Sequence, residues 1–323
     1  MNLQKSFFGA VLALALGGLL TILVSSSTVL SLLTQAIIYA VFALGVGVLL
    51  KQNGMVSFGH ALFFGGASYL VGILLQLQLM PAELAILAAL LMITLAAFLI
   101  GLVIVRVPGV AFGMLTLAIG QMFFLTASRA RGLTGGADGM NIDWPSRLFG
   151  VPVGQLLKPA SMFLVCWSTL VVVMFLLAWL MRTRFGAITE AVRDNEERAR
   201  FIGVTTLWPR AAVYALSALV TAIAGVLSAL NTGFVSPENL HWSLSGVALM
   251  MVVVGGFKAL WGPAAGAVVY FLFKDILGEH ATHWMTIFGV ALITVIVFSP
   301  TGVAGLFDRF VLGKKPSVKV GGH

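Results

Sequence analysis

Val29-Leu-Ser-Leu-Leu-Thr-Gln-Ala-Ile-Ile-Tyr-Ala-Val-Phe-Ala-Leu-Gly-Val-Gly-Val-Leu-Leu50 runs without a charge until Lys51 closes it. A helix rises about 1.5 Å per residue, so this run is long enough to cross a hydrocarbon core of about 30 Å. A membrane strand would alternate polar and apolar faces, whereas this run is apolar all round. It is a spanning helix. Nothing in it suits a water-soluble core, because no face is left for solvent.

The rest of the chain repeats the pattern. Uncharged apolar runs occupy 7–24, 29–50, 56–75, 84–105, 107–127, 160–181, 211–233, 242–257, 259–273 and 284–299. Of the 323 residues 60% are apolar and 9% charged, with a mean hydropathy of +1.06. Soluble domains hold about 25% charge, so a soluble fold is excluded. The sequence predicts a single all-α polytopic membrane domain over 1–323, with about 8–10 transmembrane helices. The last three runs are short, and 242–257 with 259–273 read either as two crossings or as a re-entrant pair. Met1–Ser6 carries Lys5 ahead of an apolar block, but the block is too long for a signal peptide and no A-x-A site follows, which favours an uncleaved first helix.

A net charge of +8 suggests nucleic acid until its positions are mapped. With the N-terminus in the cytoplasm, the inside segments hold Lys5, Lys51, Arg106, the six Arg of 182–210, Lys258, Arg309, Lys314, Lys315 and Lys319. The outside segments hold Arg129, Arg131, Arg147, Lys158 and Lys274. That bias is the positive-inside rule, and it puts both termini in the cytoplasm. The charge is an orientation signal, with no nucleic-acid partner implied. The tail 313–323 reads as loose and polar, close to anionic lipid headgroups.

Several absences bear on function. The only ionisable group inside a run is His60, whereas proton- and sodium-driven carriers keep acids and bases at membrane depth. No P-loop, H-E-x-x-H or G-x-S-x-G occurs, so the chain has no nucleotide-hydrolysing or hydrolase motif of its own. Cys166 is the single cysteine, so no intrachain disulfide forms, and no residue pattern calls for a cofactor or metal. The chain reads as a non-enzyme whose work is driven by a partner.

One segment is different. Residues 182–210 gather Arg182, Arg184, Glu190, Arg193, Asp194, Glu196, Glu197, Arg198, Arg200 and Arg210. Phe185–Ile202 reads as one amphipathic helix with Phe185, Ile188, Val192, Ala199 and Ile202 on one face. Asp194–Arg198 and Glu196–Arg200 form i,i+4 pairs, and Gly203 caps the end. A plain connector needs only about 2–8 residues. A charged helix with an apolar face, of mixed sign and so unsuited to lipid, points to a docked cytosolic protein.

Two glycine-bearing segments stand out elsewhere. Asn53-Gly-Met-Val-Ser57-Phe-Gly-His60 is a polar break at the head of the third run, which makes Ser57 and His60 candidate path-lining residues, while a lone histidine in the membrane reads equally well as a satisfied structural hydrogen-bonder. Leu133-Thr-Gly135-Gly136-Ala-Asp138-Gly-Met140 lies in the outside loop 128–158. It reads as a turn, or as an extracytoplasmic gate or docking surface with Arg129, Arg131 and Arg147. Tyr39-Ala-x-x-Ala-Leu44 echoes Tyr214-Ala-x-x-Ala-Leu219 five helices later, which suggests an inverted repeat.

Four ordered motifs now carry a resemblance. They are Gly54-Met-Val-Ser-Phe-Gly-His-Ala-Leu-Phe-Phe-Gly-Gly-Ala-Ser-Tyr69, Gly132-Leu-Thr-Gly-Gly-Ala-Asp-Gly139, Glu190-Ala-Val-Arg-Asp-Asn-Glu-Glu-Arg-Ala199 with Ile202-Gly203, and Val254-Gly-Gly-Phe-Lys-Ala-Leu-Trp-Gly-Pro-Ala-Ala-Gly266. Together, over about 30–307, they resemble the M-type inner-membrane permease of bacterial branched-chain amino-acid ABC transporters; urea and short-chain amide permeases are similar. The resemblance implies a multi-pass bacterial inner-membrane subunit with a second homologous permease, two cytosolic ATPases and a periplasmic solute-binding protein. It also implies that 185–203 is the ATPase-coupling helix, with Glu190, Arg193, Asp194, Glu197, Arg198 and Gly203 as its residues; the outside placement of Arg129, Arg131, Gly135, Gly136 and Asp138 rests on the charge map. The general importer signature, Glu-Ala-Ala with Gly three residues on, is altered here by Val192 and Asn195. The readings set against a permease are a lipid-modifying or lipid-scrambling membrane protein and a passive channel.

Overall fold

The computed structural model describes residues 3–24, 26–78, 80–107 and 109–278, with short pieces between 286 and 305. The tail 313–323, most of the run 284–299 and the extreme ends of the chain lie outside the described residues. Nearly every apolar run is a helix: α1 (Leu3–Leu23), α2 (Ser27–Asn53), α3 (His60–Gln76), α4 (Ala82–Ile104) and α5 (Val110–Arg129). The outer loop that follows holds α6 (Arg131–Thr134), strands β1 (Met140–Asn141), β2 (Arg147–Leu148) and β3 (Val151–Pro152), and α7 (Val153–Leu156). Then come α8 (Pro159–Leu180), α9 (Arg184–Asp194), α10 (Glu196–Phe201), α11 (Leu207–Thr232), β4 (Phe234–Val235), α12 (Trp242–Gly255) and α13 (Gly262–Gly278). Among the described residues α2, α4, α5, α8 and α11 are long and apolar enough to cross a membrane; α3 and α12 are shorter.

Burial sorts these helices into a centre and a periphery. The apolar windows of α2 and α11 are 78% buried, against 22% for α4. On α4 the buried residues are Ala82, Ala85, Ala89, Ile93, Ala97, Gly101 and Ile104, a narrow stripe at helical spacing whose small side chains let α11 come close. The remaining faces of α4 and α5 expose Leu87, Leu91, Leu95, Met114 and Met122, a surface that suits lipid. At the edge, α1 is clipped to α8 by Trp167 Nε1, which donates to the Ala13 carbonyl at 2.8 Å.

α2 and α11, the two helices that carry the Tyr-Ala-x-x-Ala-Leu echo, form the most extensively packed pair. α11 also lies along α3 in a fixed register. Asn53 Nδ2 donates to Arg210 O (3.0 Å), His60 joins Ser217 (2.6 Å) and Ser68 Oγ donates to Gly225 O (2.8 Å), each pair 157 residues apart. A constant separation means parallel chains. At about 1.5 Å per residue, Ser217 lies about 10 Å along α11 from Arg210, so the segment before His60 climbs that far as unwound chain. α12 is short and is preceded by Ser236–His241, where a single turn of 3-10 helix at Pro237–Leu240 takes the place of further α-helix. Two broken helices therefore enter the bundle, and the Ala61 amide of α3 donates to Ser245 Oγ of α12 at 2.8 Å.

Loop contacts respect the assigned sides. Phe149 N donates to the Glu83 carboxylate (2.9 Å), and β1 pairs antiparallel with β4 through Met140 opposite Val235; all four residues belong to outside segments. Arg193 reaches Lys51 O at the opposite end. The 242–257 and 259–273 runs form a close hairpin of α12 and α13. There Gly255, Gly262 and Gly266 let the two backbones meet where any Cβ would collide.

Candidate functional site

The charged segment 182–210 departs from its expected form. It is two helices, because Asn195 adopts an extended conformation (φ −159°, ψ 101°) between α9 and α10. The Asn195 side chain accepts from the Arg198 amide at 2.8 Å, so it acts as an N-cap, and Glu196 and Glu197 occupy the first turn where a helix dipole favours acids. The break also reassigns the ion pairs. Glu196–Arg200 forms as expected at 2.6 Å, whereas Asp194 pairs with its neighbour Arg193 at 2.7 Å because the break turns it away from Arg198. α10 ends in a Schellman motif: Val204 N donates to Ala199 O (3.0 Å) and Gly203 N to Arg200 O (2.9 Å). This requires Gly203 at φ +84°.

The expected apolar face is also divided. Val192 and Ala199 are buried and Phe185 is half-buried, but Ile188 is exposed and Ile202 is 74% exposed. Phe201 beside it is 89% exposed. The kink rotates the end of the segment so that Phe201 and Ile202 form an apolar tip. Exposed Glu197, Arg198 and Arg200 flank it. A solvent-facing Phe-Ile pair on a charged hairpin is costly to leave bare and suits a partner's pocket.

The hairpin is tied at its base to the central helices. Arg193 Nη1 donates to Lys51 O at 2.5 Å, satisfying one of the last carbonyls of α2, while its Nε and Nη2 hold Asp194. Thr189 Oγ1 lies 2.7 Å from Gln52 Oε1 and donates to it. Glu196 uses both carboxylate oxygens: Oε1 accepts from Thr206 Oγ1 (2.9 Å) and pairs with Arg200, and Oε2 pairs with Arg210 of α11 at 2.6 Å. Burial pushes the Glu196 carboxyl upward, but the Thr206 hydroxyl and the Arg210 and Arg200 guanidinium groups outweigh it and hold it below the usual carboxylate range. Arg210 passes the link on, since its carbonyl accepts from Asn53. Sequence reasoning singled out Arg193 but missed Gln52, Thr189, Arg210 and the exposed tip. Of these, only the break left a signal, an Asn followed by two Glu.

Ser57 and His60 are fully inside the bundle. His60 Nδ1 lies 2.8 Å from Ser57 Oγ and Nε2 lies 2.6 Å from Ser217 Oγ. Ser217 donates its one proton to the Gly45 carbonyl (2.7 Å), so it accepts from His60 Nε2–H, and Ser57 donates to the bare Nδ1. The pair is a closed polar network joining the break, α2, α3 and α11.

On the far side Arg129, Arg131 and Asp138 are exposed, and the glycine motif is a tight loop against α5. Thr134 Oγ1 is bonded to Ala127 O and Ala130 O. Gly135, Gly136 and Gly139 all have positive φ, and a Cβ on Gly136 would come within 2.6 Å of the Arg131 side chain. The loop then joins β1 to β4, which couples the outer end of α5 to that of α11.

Residues 28–298 match the family described as branched-chain amino acid transport system / permease component. Among curated proteins, the high-affinity branched-chain amino acid transport system permease protein LivM of Escherichia coli (strain K12) is 24% identical over 93% of this chain and 75% of its own. The autoinducer 2 import system permease protein LsrC of Salmonella typhi is 29% identical over 88% of this chain and 81% of its own. No solved structure matches the chain.

Proposed function

The chain belongs to the branched-chain amino acid transport system permease family, and on that premise we propose that it is the permease subunit of an ABC importer in a bacterial inner membrane. It forms the path for branched-chain or related amino acids together with a second homologous permease, two cytosolic ATPases supply the energy, and a periplasmic binding protein delivers the substrate. The observation that carries this reading is the α9–α10 hairpin. It shows an apolar tip outward and is anchored inward to both α2 and α11. Force on the tip has a short physical route to the two most buried helices, and from α11 through His60 to α3. Glu190, Arg193, Asp194, Glu197, Arg198 and Gly203 shape or flank this element. Arg129, Arg131 and Asp138, held by the Gly135–Gly136 loop, are the surface offered to the binding protein. Ser57 and His60 act by fastening the break beside the path.

The test is Arg193→Glu with Arg198→Glu in the assembled transporter. ATP hydrolysis is expected to persist while transport is lost and the chain still inserts. Unchanged transport would sink the coupling role. A second reading rests on the LsrC relatives, whose identity is the higher of the two: the cargo is autoinducer 2. Uptake of leucine and of autoinducer 2 by the same complex separates the two.

A further inference from the structure

Between the C-terminal end of α2, the outer wall of α9 and the turn that joins α12 to α13 lies an open cleft of about 650 Å³. That volume falls in the range of about 300–1,000 Å³ typical of small-molecule sites. Leu50, Lys51, Glu190, Arg193, Phe257 and Lys258 line it. Arg193 is already engaged, by Asp194 and by the Lys51 carbonyl. The Lys51 and Lys258 ammonium groups have no acid within 4 Å among the described residues, although the charges of Glu190 and Arg193 both act on Lys51, and the one ion-pair contact of Glu190 within that distance is to Arg193, at 3.8 Å. Leu50 and Phe257 supply half-buried apolar wall. The cleft thus offers two cations without a close acid, one weakly held carboxylate and an apolar surface.

We infer that this cleft binds a zwitterionic amino acid with an aliphatic side chain, on the cytosolic side of the membrane. The carboxylate goes to Lys51 and Lys258, the ammonium group to Glu190, and the side chain to Leu50 and Phe257. A simple anion would leave Glu190 facing it unfavourably, and a simple amine would meet two like charges; only a molecule with both charges and an apolar tail satisfies every wall. Two of the lining residues, Glu190 and Arg193, belong to α9, the helix tied to α2. Occupancy therefore braces the hairpin base and lowers turnover as imported product accumulates. This rests on the amino-acid reading above and names a regulation of the same transporter.

The experiment has two arms. In the first, L-leucine binding is titrated by calorimetry on the full chain in nanodiscs, beside 4-methylpentanoate, 3-methylbutylamine and inorganic phosphate. Leucine is expected to bind, with affinity about tenfold weaker in Lys258→Gln and in Glu190→Gln, and each half-analogue should be weaker by a similar factor. Both substituted side chains are exposed, so the variants are expected to fold. In the second arm, proteoliposomes of the assembled complex are loaded inside, the cytosolic face, with leucine. ATP hydrolysis should fall, and Lys258→Gln should relieve the inhibition. If the complex transports leucine yet the chain does not bind it, or binds phosphate as well as leucine, the cleft assignment is overturned while the function stands. If transport of leucine itself is absent, it is the amino-acid reading that fails.

Discussion

His60 shows how much one residue can hold. Its ring bridges Ser57 in the broken segment and Ser217 on α11, and Ser217 in turn reaches Gly45 on α2. Ser217→Ala would leave a buried Nε2–H without an acceptor, at a cost of about 1–3 kcal/mol. The purified chain should show a lowered thermal midpoint. His60→Ala combined with Ser217→Ala should cost less than the sum of the two single changes, because the His60–Ser217 hydrogen bond is lost in both singles and only once in the double. Strict additivity in that cycle would contradict the network. None of this could be read in the sequence, where partners 157 residues apart leave no local trace. What the sequence did show is that a lone histidine within an apolar run needs an explanation.

Among the elements, the cytoplasmic hairpin was half visible. Charge density and spacing marked 182–210 as a helical docking segment, but periodicity alone carried the helix straight through Asn195. The capping preference of Asn, followed by Glu196 and Glu197, was the competing signal, and the structure follows it: the Asn195 side chain accepts from the Arg198 amide and the two acids fill the first turn of α10. Asn195→Ala should destabilise α10 by about 0.5–2 kcal/mol, seen as faster amide exchange at 196–201 with α9 unchanged. Acid should act at the same place. Since the folded-state Glu196 carboxyl sits below its ordinary value of 4.5, its contribution is full above that value and is lost as pH falls through the lower one. Trp208, exposed beside Thr206, should report a fluorescence change only in that acidic window, and Glu196→Gln should abolish it. The two-residue strands β1 and β4 had no sequence signature, because pairing so short depends on where α5 and α11 end.

For the whole molecule, composition was enough to mark the apolar spanning helices, and the positions of the basic residues predict their direction. They could not say which helices are central, since apolarity alone does not rank burial: α4 is the more apolar of the two, yet α2 is the buried one. Burial now separates them. Cys166 is buried, so the native chain offers a silent background for thiol labelling. Arg129→Cys should react with a membrane-impermeant maleimide added outside intact cells, and Arg198→Cys only after permeabilisation. The opposite pattern would invert the topology.

The equal separations that tie Asn53 at the end of α2, and His60 and Ser68 on α3, to α11 limit what motion this bundle permits. A pair of cylinders joined at one point can pivot, and joined at two can still roll against its neighbours. Here α3 is joined to α11 at two heights, by His60 and Ser68, and the end of α2 adds a third link through Asn53, so sliding or turning requires every link to break at once. The next matching register lies a full helical turn away, about 5.4 Å. Such a pair has no soft internal coordinate. Opening and closing must therefore be carried at its borders, with α3 and α11 travelling together as a single beam.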